Sequence, residues 1–170
     1  MDSFEKLRRA IALEATPEIP VYAHIVTFAG RCAGITQAQL FSSNKAWLEA
    51  CDKTFARVGR PDVVFPMNPL DTAYTESMRV KLPGRELGPD EPFQFVEEEY
   101  MLASDYDVIL EKGWSTWNTE FMKKIQSPPW HGRIGNIKVV WNFIKVGMNT
   151  GKNIKYWKKQ GMPVMFHAGV

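Results

Sequence analysis

The sequence has little cysteine, almost no net charge and no long uninterrupted run of apolar residues. Its two cysteines, Cys32 and Cys51, are too few for a disulfide framework, which favours a reduced, cytoplasmic protein. With 21 basic and 19 acidic side chains, the formal net charge of +2 gives no sign of the dense basic face that a nucleic-acid binder needs. No apolar run approaches the roughly 18 residues of a membrane span, and the charged first residues do not resemble a signal peptide. We therefore expect neither a nucleic-acid nor a membrane partner.

Aromatic residues, in contrast, are abundant. The 170 residues include 6 Trp, 10 Phe and 5 Tyr, which indicates a well-filled core or an extensive interface. The length predicts one domain spanning residues 1–170.

Residues 17–66 have the pattern of strand, helix and strand, after a short N-terminal helix. The apolar, β-branched segment 19–28 predicts a buried strand, and 62–66 predicts a second one. Between them, Thr36 and Gln39 have capping-box spacing, and an apolar stripe predicts one helix continuing to Gly59. Short connections between such elements are typical of a parallel sheet.

Residues 67–102 do not continue this alternation of strands and helices. A polar loop covers 67–77, and the segments 78–82 and 93–97 then alternate apolar with polar residues. Pro and Gly residues lie between these segments, so we predict a long-looped β-hairpin inserted after the second strand.

Residues 103–170 are predicted to be helical up to a final strand. Ser104 and Asp107 start one helix, a second covers about 115–125, and a third covers 134–160 with an interruption near Gly151. The segment 163–167 predicts a third buried strand. Three core strands fall short of the eight in a (β/α)₈ barrel, which takes about 250 residues. The predicted fold class is therefore α/β: the N-terminal portion of a (β/α)₈ TIM barrel with an inserted β-hairpin.

The order and wording of these segments resemble the uroporphyrinogen decarboxylase superfamily, in its methyltransferase-like branch. The similarity depends on a series of segments in a fixed order, and no single motif decides it. The segments are Ile19-Pro-Val21, Phe28-Ala-Gly-Arg31, Asp62-Val-Val-Phe65, Val80-Lys-Leu-Pro-Gly-Arg85, Phe93-Gln-Phe-Val-Glu-Glu-Glu99, Asp105-Tyr-Asp107 with Gly113, and Gly161-Met-Pro-Val164. The series runs through essentially all 170 residues and corresponds to the N-terminal half of a typical member.

This resemblance implies one of two chemistries. Members decarboxylate porphyrinogen acetate groups without a cofactor, or they use zinc to move methyl groups between small molecules and corrinoid proteins. The decarboxylases carry an arginine where Thr27 stands and an aspartate where Met67 and Asn68 stand, so classical uroporphyrinogen decarboxylase activity is not expected. The methyltransferases use a His-x-Cys pair, and His167 has no Cys two residues later. We expect no metal ligands in this segment, although zinc is possible in a complete barrel.

The candidate site residues follow the predicted strands, because barrel active sites lie at the carboxyl ends of the strands. We expect Arg31 to hold a carboxylate or phosphate; a structural salt bridge is the alternative. For His24 the alternative is a hydrogen-bonded core histidine. The loop after the second strand is long enough to cover a site. The catalytic candidates are His24, Arg31 and Asp71, and the substrate-binding candidates are Thr27, Asn68, Tyr74 and His167.

Three functions remain open at this point. The first is corrinoid-linked methyl transfer from a small-molecule donor, with the corrinoid on a partner protein. The second is decarboxylation of a small or tetrapyrrole carboxylic acid, anchored by Arg31. The third is a non-catalytic half-barrel subunit or binding module. In each case we expect the open sheet to be covered by a C-terminal half-barrel or by a second copy of the chain.

Overall fold

The computed structural model describes residues 1–68, 79–125 and 132–166. Within these ranges the chain forms seven α-helices and four short β-strands. In chain order they are α1 Ser3–Ile11, β1 Tyr22–Ala23, α2 Phe28–Ala33, α3 Gln37–Ser42, α4 Asn44–Val58, β2 Val63–Val64, β3 Val80–Lys81, β4 Gln94–Phe95, α5 Ala103–Lys112, α6 Trp114–Ile125 and α7 Gly132–Lys159.

A small parallel sheet lies at the centre of the described fold. Strand β1 pairs with β2 in parallel, with Tyr22 opposite Val63. Val64 forms a further parallel bridge to Val164, and the Met165 N–H donates to the Val64 carbonyl at 3.1 Å. Strand β2 therefore lies between β1 and the segment at Val164. The parallel pairing that the sequence predicts is present, although each strand is shorter than predicted.

The first predicted strand is too long. Only Tyr22–Ala23 of the segment 19–28 is a strand, and Phe28, which was predicted to end the strand, begins the helix α2. The β-branched residues that favour a strand end at Thr27, the residue before α2, and α2 itself contains none. Gly34 then ends α2 in the left-handed conformation, with φ +72°.

The predicted helix from Thr36 to Gly59 is two helices. The capping box of Thr36 and Gln39 is confirmed at the start of α3. Ser43, however, is extended (φ −157°, ψ 153°) and separates α3 from α4. Its side chain accepts a hydrogen bond from the Ala46 N–H at 3.1 Å. The apolar stripe continues across this break because both helices face the same core, so the stripe alone gave no sign of it.

Helices α2, α3 and α4 pack around one core together with the last turns of α7. Trp157 on α7 lies edge-on to Trp47 and Phe55 of α4, with ring centroids 6.4 and 5.7 Å apart. Leu40 and Ala29 are fully buried in the same cluster. Part of the aromatic content of the sequence therefore lies in a core.

The predicted hairpin and the following helices are present in the described ranges. Strands β3 and β4 pair in antiparallel fashion, with Val80 opposite Phe95. Helix α5 begins at Ala103, and Asp105, rather than Ser104 or Asp107, accepts from the Leu102 N–H at its start. Helix α7 continues through Gly151 without the predicted interruption, because a glycine costs a helix interior only about 1 kcal/mol. Among the described helices, none is long and apolar enough to cross a membrane.

Candidate functional site: a cleft between α2 and the loop before β4

Helices α2 and α3 meet closely at one wall of the candidate site. Gly30 in α2 allows this approach, because a Cβ atom there would lie 3.1 Å from Nε2 of Gln37 and 3.3 Å from the Ile35 carbonyl oxygen. The Ile35 N–H donates to the Gly30 carbonyl at 3.0 Å, which closes the turn between the helices. The Ala-Gly dipeptide before Arg31 therefore places that arginine beside α3.

The loop between β3 and β4 forms the opposite wall. Gly84 has φ +74°, and a Cβ atom there would lie only 2.8 Å from Cβ of Ala38 on α3. The Ala38 N–H donates to the Pro89 carbonyl at 2.9 Å. Because α3 anchors this loop at two points, the inserted hairpin becomes part of the site and is not a separate appendage.

The cleft between these walls has a volume of about 290 Å³. It is large enough for a small organic molecule, near the lower limit of ordinary ligand pockets. Three elements contribute its lining residues, which are Thr27, Phe28, Arg31, Gln37, Asp90 and Pro92. Two of the predicted site residues, Thr27 and Arg31, thus lie in one cleft.

Arg31 has an available guanidinium group. Among the described residues, none forms an ion pair or side-chain hydrogen bond with it, and the side chain is exposed at the cleft. The alternative interpretation of Arg31 as half of a structural salt bridge thus has no partner within those ranges. Asp90 lines the same cleft from the loop. A guanidinium with five free donors suits a carboxylate or phosphate, and a carboxylate nearby suits an amino or hydroxyl donor.

Gln37 forms the buried part of the cleft wall. Its Nε2 donates to the Thr27 carbonyl at 3.1 Å, which ties α3 to the start of α2. The side chain is only 2% exposed, and no described group donates to its Oε1. A buried acceptor without a donor costs free energy of folding, on the order of 1–3 kcal/mol. Such a group is unusual in a folded protein and more common near functional sites.

The other described candidates lie outside the cleft lining. His24 follows β1 directly and is exposed, with its ring centroid 4.6 Å from that of Phe65, which follows β2. Phe65 in turn lies 6.2 Å from Phe166, beyond the bridge at Val164. An aromatic row therefore crosses the carboxyl ends of the three parallel segments. Asn68, after β2, is buried at 4% exposure.

Three predicted site residues, Asp71, Tyr74 and His167, lie outside the described residues. So does most of the predicted loop 67–77. Their predicted roles stay predictions.

Sequence reasoning missed Gln37 and Asp90. The spacing of Thr36 and Gln39 indicates only a helix start, and Asp90 falls in the predicted hairpin loop, for which the sequence predicts no site. Neither residue type at its position predicts a site, because their proximity to Arg31 depends on how the hairpin loop packs against α3.

Among the described residues, no set of side chains suits the zinc ions that the resemblance implies. Within residues 1–68, 79–125 and 132–166, no group of three His, Cys, Asp or Glu side chains could hold a metal ion. Burial raises the pKa of the Cys51 thiol to about 12, which disfavours the thiolate that binds zinc. We derive no reaction step through zinc from these residues.

No family model matches the chain, and neither a curated protein nor a solved structure matches it. The resemblance to the uroporphyrinogen decarboxylase superfamily therefore stays a prediction from the sequence. The cleft and the parallel pairing of the segments are observed in this chain itself and do not depend on the resemblance.

Proposed function

We propose that this chain is part of a uroporphyrinogen decarboxylase-like (β/α)₈ barrel enzyme and that its cleft binds the carboxylate of a small-molecule substrate. The observation that carries the proposal is the unpaired guanidinium of Arg31 at the cleft. Arg31 lies on α2, eight residues after β1 ends at Ala23. The remaining strands of the barrel would come from further chain or from a partner.

The strand order supports a barrel segment. In a (β/α)₈ barrel, consecutive strands are parallel neighbours, and the site lies at their carboxyl ends. Here β1, β2 and the segment at Val164 lie side by side in the order in which they occur along the chain, and they run in parallel. His24 and Phe65 follow two of these segments directly, at the edge where a barrel would have its mouth.

The cleft residues have separate tasks in this proposal. Arg31 holds the substrate carboxylate with two parallel N–H donors, a geometry that fixes orientation as well as position. Asp90 accepts from an amino or hydroxyl group on the same molecule. Gln37 holds the Thr27 carbonyl and so keeps the start of α2 in place. This chain thereby binds and orients the substrate.

Corrinoid-linked methyl transfer is the reaction that we propose for the complete assembly. Its support is the resemblance of the 80–107 region to the methyltransferase-like branch. The corrinoid would be carried by a partner protein. Decarboxylation of a small or tetrapyrrole acid is the second candidate, because Arg31 stands at the position of a substrate-binding arginine in the decarboxylases.

Carboxylate binding can be tested on the chain itself. We expect succinate to shift the ¹H–¹⁵N resonances of Arg31 Nε and of the cleft amides, with a dissociation constant in the millimolar range. Dimethyl succinate, which lacks the charge, serves as the ligand control. Arg31→Gln should remove the shifts, whereas Arg8→Gln, at an exposed position of α1, should retain them. Cleft resonances that stay unchanged up to tens of millimolar succinate would refute the binding proposal.

The reaction needs the assembled protein. Native mass spectrometry of the protein from its own cells should show further chain or a partner that completes the barrel. Methylation of added reduced cobalamin by that assembly would support methyl transfer, and release of CO₂ from a carboxylic acid would support decarboxylation. An assembly that contains no further strands would contradict the barrel proposal.

A further inference from the structure

Helix α7 has two opposite faces with different surroundings. One face is buried in the protein through Asn142, Val146, Asn153 and Trp157, which are 8%, 8%, 0% and 1% exposed. Their spacing of four or seven residues places them on one side of the helix. The other side carries Ile137, Trp141, Ile144 and Met148, which are 69%, 56%, 46% and 58% exposed.

The exposed side of α7 changes from apolar to basic residues along its length. The four apolar residues are followed, at the same helical spacing, by Lys152, Lys155 and Lys159. Ile134, Val140 and Phe143 extend the apolar part, at 72%, 59% and 55% exposure. We call the exposed apolar residues of α7 from Ile134 to Met148 the α7 patch. At 1.5 Å per residue it is about 21 Å long.

The α7 patch is a long apolar surface. It contains seven large apolar side chains, each about half exposed or more. A patch of that size usually marks an interaction site. Its flanking charge is basic: Lys138 and Lys145 border it, and Lys145 lies 5.9 Å from the ring of Trp141. Helix α7 contains no acidic residue.

Helix α5 carries a smaller patch with the opposite charge. Tyr106 and Leu110 lie one turn apart on α5 and are 61% and 84% exposed, and Trp114, the first residue of α6, is 61% exposed. Asp107 and Glu111 border this α5 patch, each directly after one of its apolar residues. Among the described residues, none forms an ion pair with either carboxylate.

We propose that the α7 patch binds the α5 patch of a second copy of this chain. The two surfaces match in two respects: each is apolar, and their bordering charges are opposite. Burial of the apolar stripes supplies affinity, whereas Lys138 and Lys145 against Asp107 and Glu111 select the partner and its orientation. Two different patches form this contact, so it is heterologous, and each copy has one patch of each kind to offer. The inference is independent of the proposed function, because it involves helix faces and not the cleft.

The first experiment measures mass against concentration for the 170-residue chain. Sedimentation velocity between about 2 and 200 μM should show species heavier than 19.4 kDa that increase with concentration. High salt should weaken association only partly, because apolar burial is not screened. A chain that stays at 19.4 kDa throughout this range would overturn the proposal.

Charge reversal gives the sharper test. The variant Lys138→Glu/Lys145→Glu makes both patches acidic, and Asp107→Lys/Glu111→Lys makes both basic. Each variant alone should associate at least about tenfold more weakly than the parent, because like charges then border the contact. An equimolar mixture should associate again, since acidic patches meet basic ones. The matched control Lys53→Glu/Lys81→Glu reverses two exposed lysines elsewhere and should behave as the parent. Unchanged association in the single variants, or no recovery on mixing, would refute the α5–α7 contact.

A lipid surface is the competing occupant of the α7 patch. Flotation with vesicles of phosphatidylglycerol and phosphatidylcholine tests it directly. The patch binds lipid if the parent floats with the vesicles and the Trp141→Ser variant does not. If the parent also remains monomeric in solution, the self-association proposal fails. Flotation should be absent if the proposal holds. The far-ultraviolet circular dichroism of every variant should match that of the parent, which separates lost association from lost folding.

Discussion

The side chains of Asn44 and Asn153 hydrogen-bond to each other twice. Nδ2 of Asn44 donates to Oδ1 of Asn153 at 2.6 Å, and Nδ2 of Asn153 donates to Oδ1 of Asn44 at 2.9 Å. Nδ2 of Asn153 also donates to the Pro66 carbonyl at 2.9 Å, and Asn153 is fully buried. These bonds connect the start of α4, the C-terminal part of α7 and the chain just after β2, so they hold the end of the central strand against two helices.

We expect Asn153→Ala to lower the free energy of unfolding by about 2–4 kcal/mol, because it leaves the buried Pro66 carbonyl and the Asn44 amide without partners. Asn44→Ala should cost less, since Asn44 is only half-buried. In a double-mutant cycle measured by urea unfolding, the two changes should couple by about 1 kcal/mol. Lys152→Ala, on the exposed side of the same helix, is the control and should change stability by less than about 0.5 kcal/mol. Additive effects of the two asparagine variants would contradict the pairing.

Asp62 joins α1 to the sheet, and its stabilising effect should depend on pH. Its Oδ2 accepts from the Val21 N–H at 3.0 Å, and its Oδ1 lies 3.1 Å from the Lys6 ammonium and 3.2 Å from the Ser3 hydroxyl. The Val21 N–H first, and then Lys6 and Ser3, lower the pKa of Asp62 below its usual value. A lowered pKa means that the folded state binds the proton less tightly than the unfolded chain does. The stabilisation is therefore present above the unfolded pKa of about 3.9 and is lost as pH falls through the folded pKa.

For Asp62→Asn we predict a free energy of unfolding about 1–2 kcal/mol lower than the parent at pH 7, with the difference shrinking below pH 4. Urea unfolding at a series of pH values measures the difference at pH 7 and its decrease at lower pH. Asp107→Asn, an exposed carboxylate on α5, should follow the parent curve. A constant difference between parent and Asp62→Asn from pH 7 to pH 2 would rule out the ionised carboxylate as the stabilising group.

Glycine substitutions should have opposite effects at two positions. Gly84→Ala places a methyl group 2.8 Å from Cβ of Ala38 in a left-handed backbone conformation, so it should cost about 1–3 kcal/mol and displace the cleft loop. Gly151→Ala should stabilise by about 0.5–1 kcal/mol, because it lies inside α7 with open space around it. Thermal unfolding measures both. If Gly84→Ala is as stable as the parent and retains succinate binding, the loop does not depend on this contact.

The two cysteines should differ in reactivity. Both are free thiols, but Cys51 is buried and burial raises the pKa of its thiol to about 12, whereas Cys32 is half-buried. Because the thiolate is the reactive species, Ellman's reagent should modify one thiol per chain in the native protein and two in urea. Cys32→Ser should remove the native phase of the reaction. A native phase that survives in Cys32→Ser would mean that Cys51 becomes exposed by local opening.

Local signals in the sequence were sufficient for several elements. The side chain of Asp2 caps α1 at 2.8 Å, and the capping box at Thr36 starts α3 as predicted. The Gly residues at 34, 59 and 113 follow helix ends, where φ is positive. The alternation in 78–82 and 93–97 predicted an antiparallel pair that the described part contains. Each of these depends on hydrogen bonds between residues close in the chain, which is why sequence spacing reveals them.

The sequence by itself determined the alternation of β and α segments, the caps, and the position of Arg31 after the first strand. Only the tertiary structure decided that α2 exists, that Ser43 divides the long helix, and that Gln37 and Asp90 share a cleft with Arg31. It also decided which face of α7 is buried, since apolar residues occur on both sides of that helix. The physical reason is the range of the interactions. A cap or a turn is formed within a few residues, whereas the cleft depends on the contact of Gly84 with Ala38, which are 46 positions apart in the chain and meet only when the hairpin loop packs on α3.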